Sequence, residues 1–143
     1  MNELPLQLEY LGDEAFKNSP IGVKITKLPD SLVYIGKMCF FQSDAVDISV
    51  FPRGDENTVK TIGLEAFGFA TGSSVTTLTI HDPWTIADQG QYSVFYGGGY
   101  SNVKQVYVYS RHLQDSNDIF TKLFNGNSYG DNPPEVHMMT YEG

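Results

Sequence analysis

The sequence predicts an all-β fold, a two-sheet sandwich of about seven strands, on three observations. Short β-branched and aromatic runs recur through most of the chain. Gly, Asp, Asn and Pro separate them at the spacing with which a sandwich or barrel turns. Amphipathic periodicity over a long helical window is scarce.

Taken in order, GVKITKL sets Val23 and Ile25 on one face against Lys24 and Thr26 on the other, the period of a half-buried strand. SLVYIGKMCFFQ, residues 31–42, is longer and more apolar, as expected of a strand in the middle of a sheet. VDISVF follows and stops at Pro52 and a Gly54-Asp55 turn signal. TVKTIGLEAFGFA alternates less cleanly, and Gly63 and Gly68 suggest bulges. SVTTLTI, residues 74–80, ends at Asp82-Pro83, and GQYSVFYG and NVKQVYVYS then flank Gly97, Gly98 and Gly99 at hairpin spacing. After Ser110 the texture changes. RHLQDSNDIFTKLF predicts one short helix capped by Ser116 or Asn117, with Ile119, Phe120, Leu123 and Phe124 as its apolar face. The remainder, broken by Pro133-Pro134, reads as an extended arm. The chain thus divides into an N-terminal arm (1–16), a sandwich (17–110) and a C-terminal helix with an extended tail (111–143). No internal repeat or low-complexity tract stands out.

Composition bounds the function. At 143 residues, 41% hydrophobic and 18% charged, the chain is long enough to fill one core and lies far from the signature of disorder. Nine Lys and Arg against seventeen Asp and Glu give a formal charge of -8, which repels phosphate backbones, so direct nucleic-acid binding is not expected. One cysteine, Cys39, excludes an intrachain disulfide. The acidic N-terminus does not read as a secretory signal, and no apolar run approaches the ~20 residues of a membrane span. A place in a virion or the cytoplasm is expected, with no membrane.

One constellation carries a resemblance. Leu78 and Ile80 form an L-x-I pair, followed by Asp88, Gly90 and Tyr92 in a D-x-G-x-Y spacing. Together they resemble the E strand and tyrosine corner of an immunoglobulin-like domain, in which the tyrosine hydroxyl turns back onto the preceding loop. The resemblance covers residues 17–110, with SPIGVKI as strand A, LVYIGKMCFF as B and DISVFPRG as C. Val94 stands where the second disulfide cysteine is usual, and Val50 or Phe51 where the core tryptophan is usual. The resemblance implies a Greek-key sandwich, with Asp88, Gly90 and Tyr92 as a structural corner.

Chemistry is sparse. His81, His112 and His137 are scattered, and Cys39 falls in a strand expected to be buried, where a thiol is inert packing. No spacing suggests zinc, and Asp44 with Asp47 or Asp55 with Glu56 offers too few oxygens for calcium. No catalytic residue, metal or cofactor is expected. GGGY lacks the following helix that a phosphate cradle needs, so it reads as the turn of the F-G hairpin. Arg53-Gly54-Asp55 resembles an integrin-binding tripeptide and is also ordinary turn chemistry.

Exposed tyrosine with small polar residues is common on recognition surfaces, which makes Tyr96, Tyr100, Tyr107 and Tyr109, with Trp84, the candidate protein contacts. The expected function is a non-catalytic structural or recognition subunit of a larger assembly. Its partners are proteins, neighbouring subunits or further copies of the chain. Immunoglobulin-like domains occur on phage particles, so the resemblance implies a virion component such as a capsid decoration, head fibre or tail accessory protein. The alternatives are an intracellular immunoglobulin-set module of the muscle or cytoskeletal kind and a carbohydrate-binding sandwich.

Overall fold

In a computed structural model the chain is described over residues 4–18, 25–43, 46–54, 58–71, 73–81, 84–86, 93–109, 116–124 and 133–139. The elements run β1 (Tyr10–Leu11), β2 (Tyr34–Ile35), β3 (Val50–Phe51), β4 (Lys60–Ile62), β5 (Thr77–His81), β6 (Trp84–Ile86), a 3-10 turn (Tyr96–Gly98), β7 (Gln105–Tyr109), α1 (Ser116–Phe124) and β8 (Glu135–Met139).

The strands form two four-stranded sheets, β1-β2-β4-β6 and β3-β5-β7-β8, and every pairing in both is parallel. The expected antiparallel immunoglobulin-like sandwich is therefore wrong: the described residues form a β-solenoid of about three turns with one short helix. The reason is topological. In a Greek key the neighbours of β5 would run against it, whereas β5 lies parallel to both β3 and β7. Each turn passes through one sheet, a tight bend and the other sheet before climbing to the next level, so like residues stack on like.

That stacking exposes a repeat which inspection of the sequence missed. Leu11, Ile35, Ile62 and Ile86 lie side by side in register. The first three are each followed by glycine, and a phenylalanine stands four residues after each of those glycines: Gly12 and Phe16, Gly36 and Phe40, Gly63 and Phe67. The phenylalanines stack through the core. Centroid distances are 5.2 Å for Phe16 to Phe40, 5.1 Å for Phe40 to Phe67, 5.3 Å for Phe67 to Phe95 and 5.5 Å for Phe95 to Phe124. Such offset or tilted ring pairs add to the stabilisation from burial alone.

The bends carry their own hydrogen bonds from level to level. The amides of Glu14, Phe16 and Asn18 donate to the carbonyls of Lys37, Cys39 and Phe41, and those of Met38, Phe40 and Gln42 to Leu64, Ala66 and Gly68. To aim alternate amides along the stack, each bend places two residues at positive φ: Glu14 and Asn18, Met38 and Gln42, Glu65 and Phe69. The predicted long strand through residues 31–42 is thus only Tyr34–Ile35 followed by such a bend. Cys39 is fully buried there, and burial pushes its thiol up to about 12.

That shift fixes a pH dependence. The folded thiol stays protonated well above the ordinary cysteine range, whereas the unfolded thiol ionises near pH 9, so the stability contributed is present below about pH 9 and lost as pH rises towards 12. Between pH 9 and 10 the wild type should lose stability more steeply than Cys39→Ala, by up to about 1.4 kcal/mol per pH unit. Urea unfolding across that range measures it, and equal slopes would contradict the burial of the thiol.

Other expectations change with the fold. Tyr10–Leu11 is a strand, and Leu4 and Leu11 are core residues, so this part of the N-terminus is no arm. The predicted short helix is present as α1, with Leu123 and Phe124 buried and the carbonyls of Lys122 and Leu123 accepting from the amides of Val94 and Phe95. Glu135–Met139 is β8, the last described strand of the second sheet, where an extended tail was expected.

The three glycines are not a hairpin turn, because the strands on either side of a hairpin are antiparallel neighbours and β7 pairs in parallel with β5 and β8. Gly97, at φ 73°, sits where a Cβ would strike the Phe69 ring, and Gly99 where it would strike the Phe67 carbonyl. They let one bend approach the bend of the preceding turn.

Candidate functional site: the outward face of the second sheet

Parallel in-register pairing sorts the second sheet into inward and outward rows. Leu78, Val106 and Val136 form one inward row, and Ile80, Val108 and Met138 the other. Leu78 and Ile80, singled out from the sequence as a pair, are both core. The intervening residues face outward in three rows: Thr77, Gln105 and Glu135; Thr79, Tyr107 and His137; His81, Tyr109 and Met139.

Two ring pairs stand on this face. Tyr107 stacks on His137 with centroids 4.8 Å apart and planes 20° apart, and His81 stacks on Tyr109 at 4.9 Å and 14°. The spacing equals the distance between neighbouring strands, so the sheet itself holds the rings face to face. His137 Nε2 donates to Gln105 Oε1 at 2.5 Å and lies 3.7 Å from a Glu135 carboxylate oxygen, which ties two rows together. Four rings fixed by their own sheet lose little freedom when a partner covers them.

Of the predicted contacts, Tyr107 and Tyr109 lie together here, half-buried. The others do not join them. Tyr100 is fully buried, and its hydroxyl accepts from the Ile48 amide at 2.9 Å. Burial raises the pKa of its phenol. Tyr96 lies on the 3-10 turn beside Phe69, away from the sheet face. Trp84 is buried in β6 and donates from Nε1 to the Pro52 carbonyl at 2.9 Å. The corner residues Asp88, Gly90 and Tyr92 lie outside the described residues, as do His112 and Asp55, so the Arg53-Gly54-Asp55 tripeptide is not described as a unit. Sequence reasoning missed His81 and His137 as members of the site. Their signal was position: each falls at an outward place in an alternating strand, opposite a tyrosine of the next strand.

A groove of about 430 Å³ adjoins the same face, between Thr26–Asp30 and Ser49–Pro52. Its walls are fixed from behind. Lys60 Nζ donates to the Asp30 carbonyl at 2.6 Å and lies 5.4 Å from the centre of the Trp84 ring, while Trp84 holds Pro52. Burial lowers the pKa of Lys60, partly opposed by the Asp30 carboxylate.

Among the described residues no group of three or more His, Cys, Asp or Glu could hold a metal ion, and no helix is long and apolar enough to cross a membrane. No known protein family, curated protein or solved structure matches the chain.

Proposed function

We propose that this chain is a non-catalytic recognition module that binds a protein partner through the outward face of its second sheet. The observation that carries the reading is the composition of that face. Its ten outward strand positions, the nine above with Val50 opposite Thr79, hold two tyrosines, two histidines, a methionine, a valine and three neutral hydrogen-bonding side chains, with Glu135 as the one formal charge within these strands apart from histidine. Protein interfaces are enriched in aromatic residues and methionine and depleted of charge at their centres. The structural half of the expectation, a subunit of a larger assembly, is compatible with such a face. The virion assignment entered with the immunoglobulin-like resemblance, and with that fold set aside no feature of the solenoid argues for it. The immunoglobulin-set alternative goes with it.

Glycan binding is the weaker reading on geometry. A sugar stacks on the flat face of an aromatic ring, but here Tyr107 and His137 each turn one face to the other, as do His81 and Tyr109. Rings stacked from strand to strand turn their edges outward, and edges suit peptide groups and side chains. Selecting a random peptide display library on the full chain tests this. Selected clones are expected to bind the Tyr107→Ala, Tyr109→Ala double variant at least about tenfold more weakly, the loss of one interface hot spot. Clones that bind the folded double variant equally well would place recognition elsewhere and refute the proposal.

A further inference from the structure

The recognition reading can be taken to a class of ligand, because the face has a cationic and an anionic end. Val50 heads the outward row that continues through Thr79 and Tyr107 to His137, and Lys27 lines the groove beside Val50, on the segment that the bridge between Ile25 and Val46 pairs with the residues leading into β3; Glu135 stands at the opposite edge, on β8. Lys27 and Glu135 are both exposed. Four steps separate their strands, about 19 Å at the spacing of neighbouring strands. Beside Lys27 lies the groove, with Leu28, Val50 and Pro52 among its lining residues. Between the ends stand the neutral hydroxyl, amide and aromatic groups already described.

We propose, resting on that reading, that the face seats an extended polypeptide segment of the partner, laid along the stack of strands, with an acidic side chain over Lys27 and a basic one over Glu135. An extended chain rises about 3.3 Å per residue, so the two charges fall about six residues apart. An even separation puts both on the side facing the sheet. An apolar side chain near the acidic end enters the groove, whose walls Lys60 and Trp84 hold in place. A neutral glycan would make no use of the opposed charges.

Three fluorescent peptides with one neutral Ser/Thr/Leu interior test this by anisotropy with the full chain, their end charges six residues apart as Glu and Lys, Glu and Glu, or Lys and Lys. The mixed peptide is expected to bind at least about tenfold more tightly than either other. Lys27→Glu should move the preference to the Lys and Lys peptide, and Glu135→Lys to the Glu and Glu peptide. The double exchange should restore the mixed peptide. Both positions are exposed, and circular dichroism checks that each variant is folded. Peptides that bind through Tyr107 and Tyr109 without charge preference would overturn this inference and leave the recognition reading standing. An oligosaccharide panel that binds where no peptide does would overturn both.

Discussion

Replacing Phe67 with alanine should cost about 3–5 kcal/mol, the range for removing a buried phenylalanine. That is a large part of the roughly 5–15 kcal/mol by which domains are stable. Phe67 is fully buried at the middle of the ring stack, between Phe40 and Phe95, and it also meets Phe51 and Tyr100 edge-on. Truncation removes ring contacts on both sides at once, and the backbone around the void is held by the bend's hydrogen bonds to its neighbour, which limits collapse. Phe16 is the control: among the described residues it stacks on Phe40 alone and is half-buried, so Phe16→Ala should cost much less. Urea unfolding of both variants measures the difference. Where Phe67→Ala leaves too little folded protein, Phe67→Leu should rank the same way. Equal losses at the two positions would contradict a continuous stack.

The second large effect is a contrast of sign between glycines that look alike in sequence. Gly36 follows Ile35 as Gly12 follows Leu11. A Cβ on Gly36 would lie 2.5 Å from the Asp13 amide nitrogen and 2.6 Å from the Gly12 carbonyl carbon, both backbone atoms of the adjacent turn. A Cβ on Gly12 meets nothing within 4 Å. Gly36→Ala must push two turns apart, and overpacking of this kind costs about 1–3 kcal/mol. Gly12→Ala should be neutral or stabilise by up to about 1 kcal/mol, because alanine restricts the unfolded chain. Thermal or urea unfolding of the pair reads it directly. Destabilisation of similar size at both sites would mean that Gly36 does not face another turn.

The same residues show how much of the fold was legible. Leu78 and Ile80, read as the pair before a tyrosine corner, lie in the core; Tyr107 and Tyr109, read as exposed contacts, lie on an outward face; and periodicity found α1. These are local properties, and a strand's inward and outward faces are the same whichever way its neighbour runs. Parallel pairing is not local. It joins Thr79 to Tyr107 and Tyr107 to His137 across nearly thirty residues, and no turn signal reports it. What could have reported it is the recurrence of glycine with phenylalanine four residues later. That recurrence is blurred because the interval is 24 residues from Leu11 to Ile35 and 27 from Ile35 to Ile62. The tyrosine-corner spacing misled because three residue types match easily by chance. Gly97 and Gly99 misled because close approach between turns and a hairpin make the same demand for glycine.

For the site, the sequence offered chemistry without placement. It named five aromatic residues as contacts, and the solenoid spends Trp84 and Tyr100 on the core, sets Tyr96 on a bend and leaves two on the sheet face. It passed over His81 and His137 as scattered, since only stacking of one strand on the next brings each against a tyrosine.

Nuclear Overhauser contacts among backbone protons read out whether successive turns stack in parallel register. Interstrand contacts should link Thr79 to Tyr107 and Tyr107 to His137 in the staggered amide-to-α-proton pattern of parallel strands. Ring-to-ring contacts should run in order through Phe16, Phe40, Phe67, Phe95 and Phe124. Strong contacts between facing α protons across β5 and β7, the mark of antiparallel pairing, would contradict it.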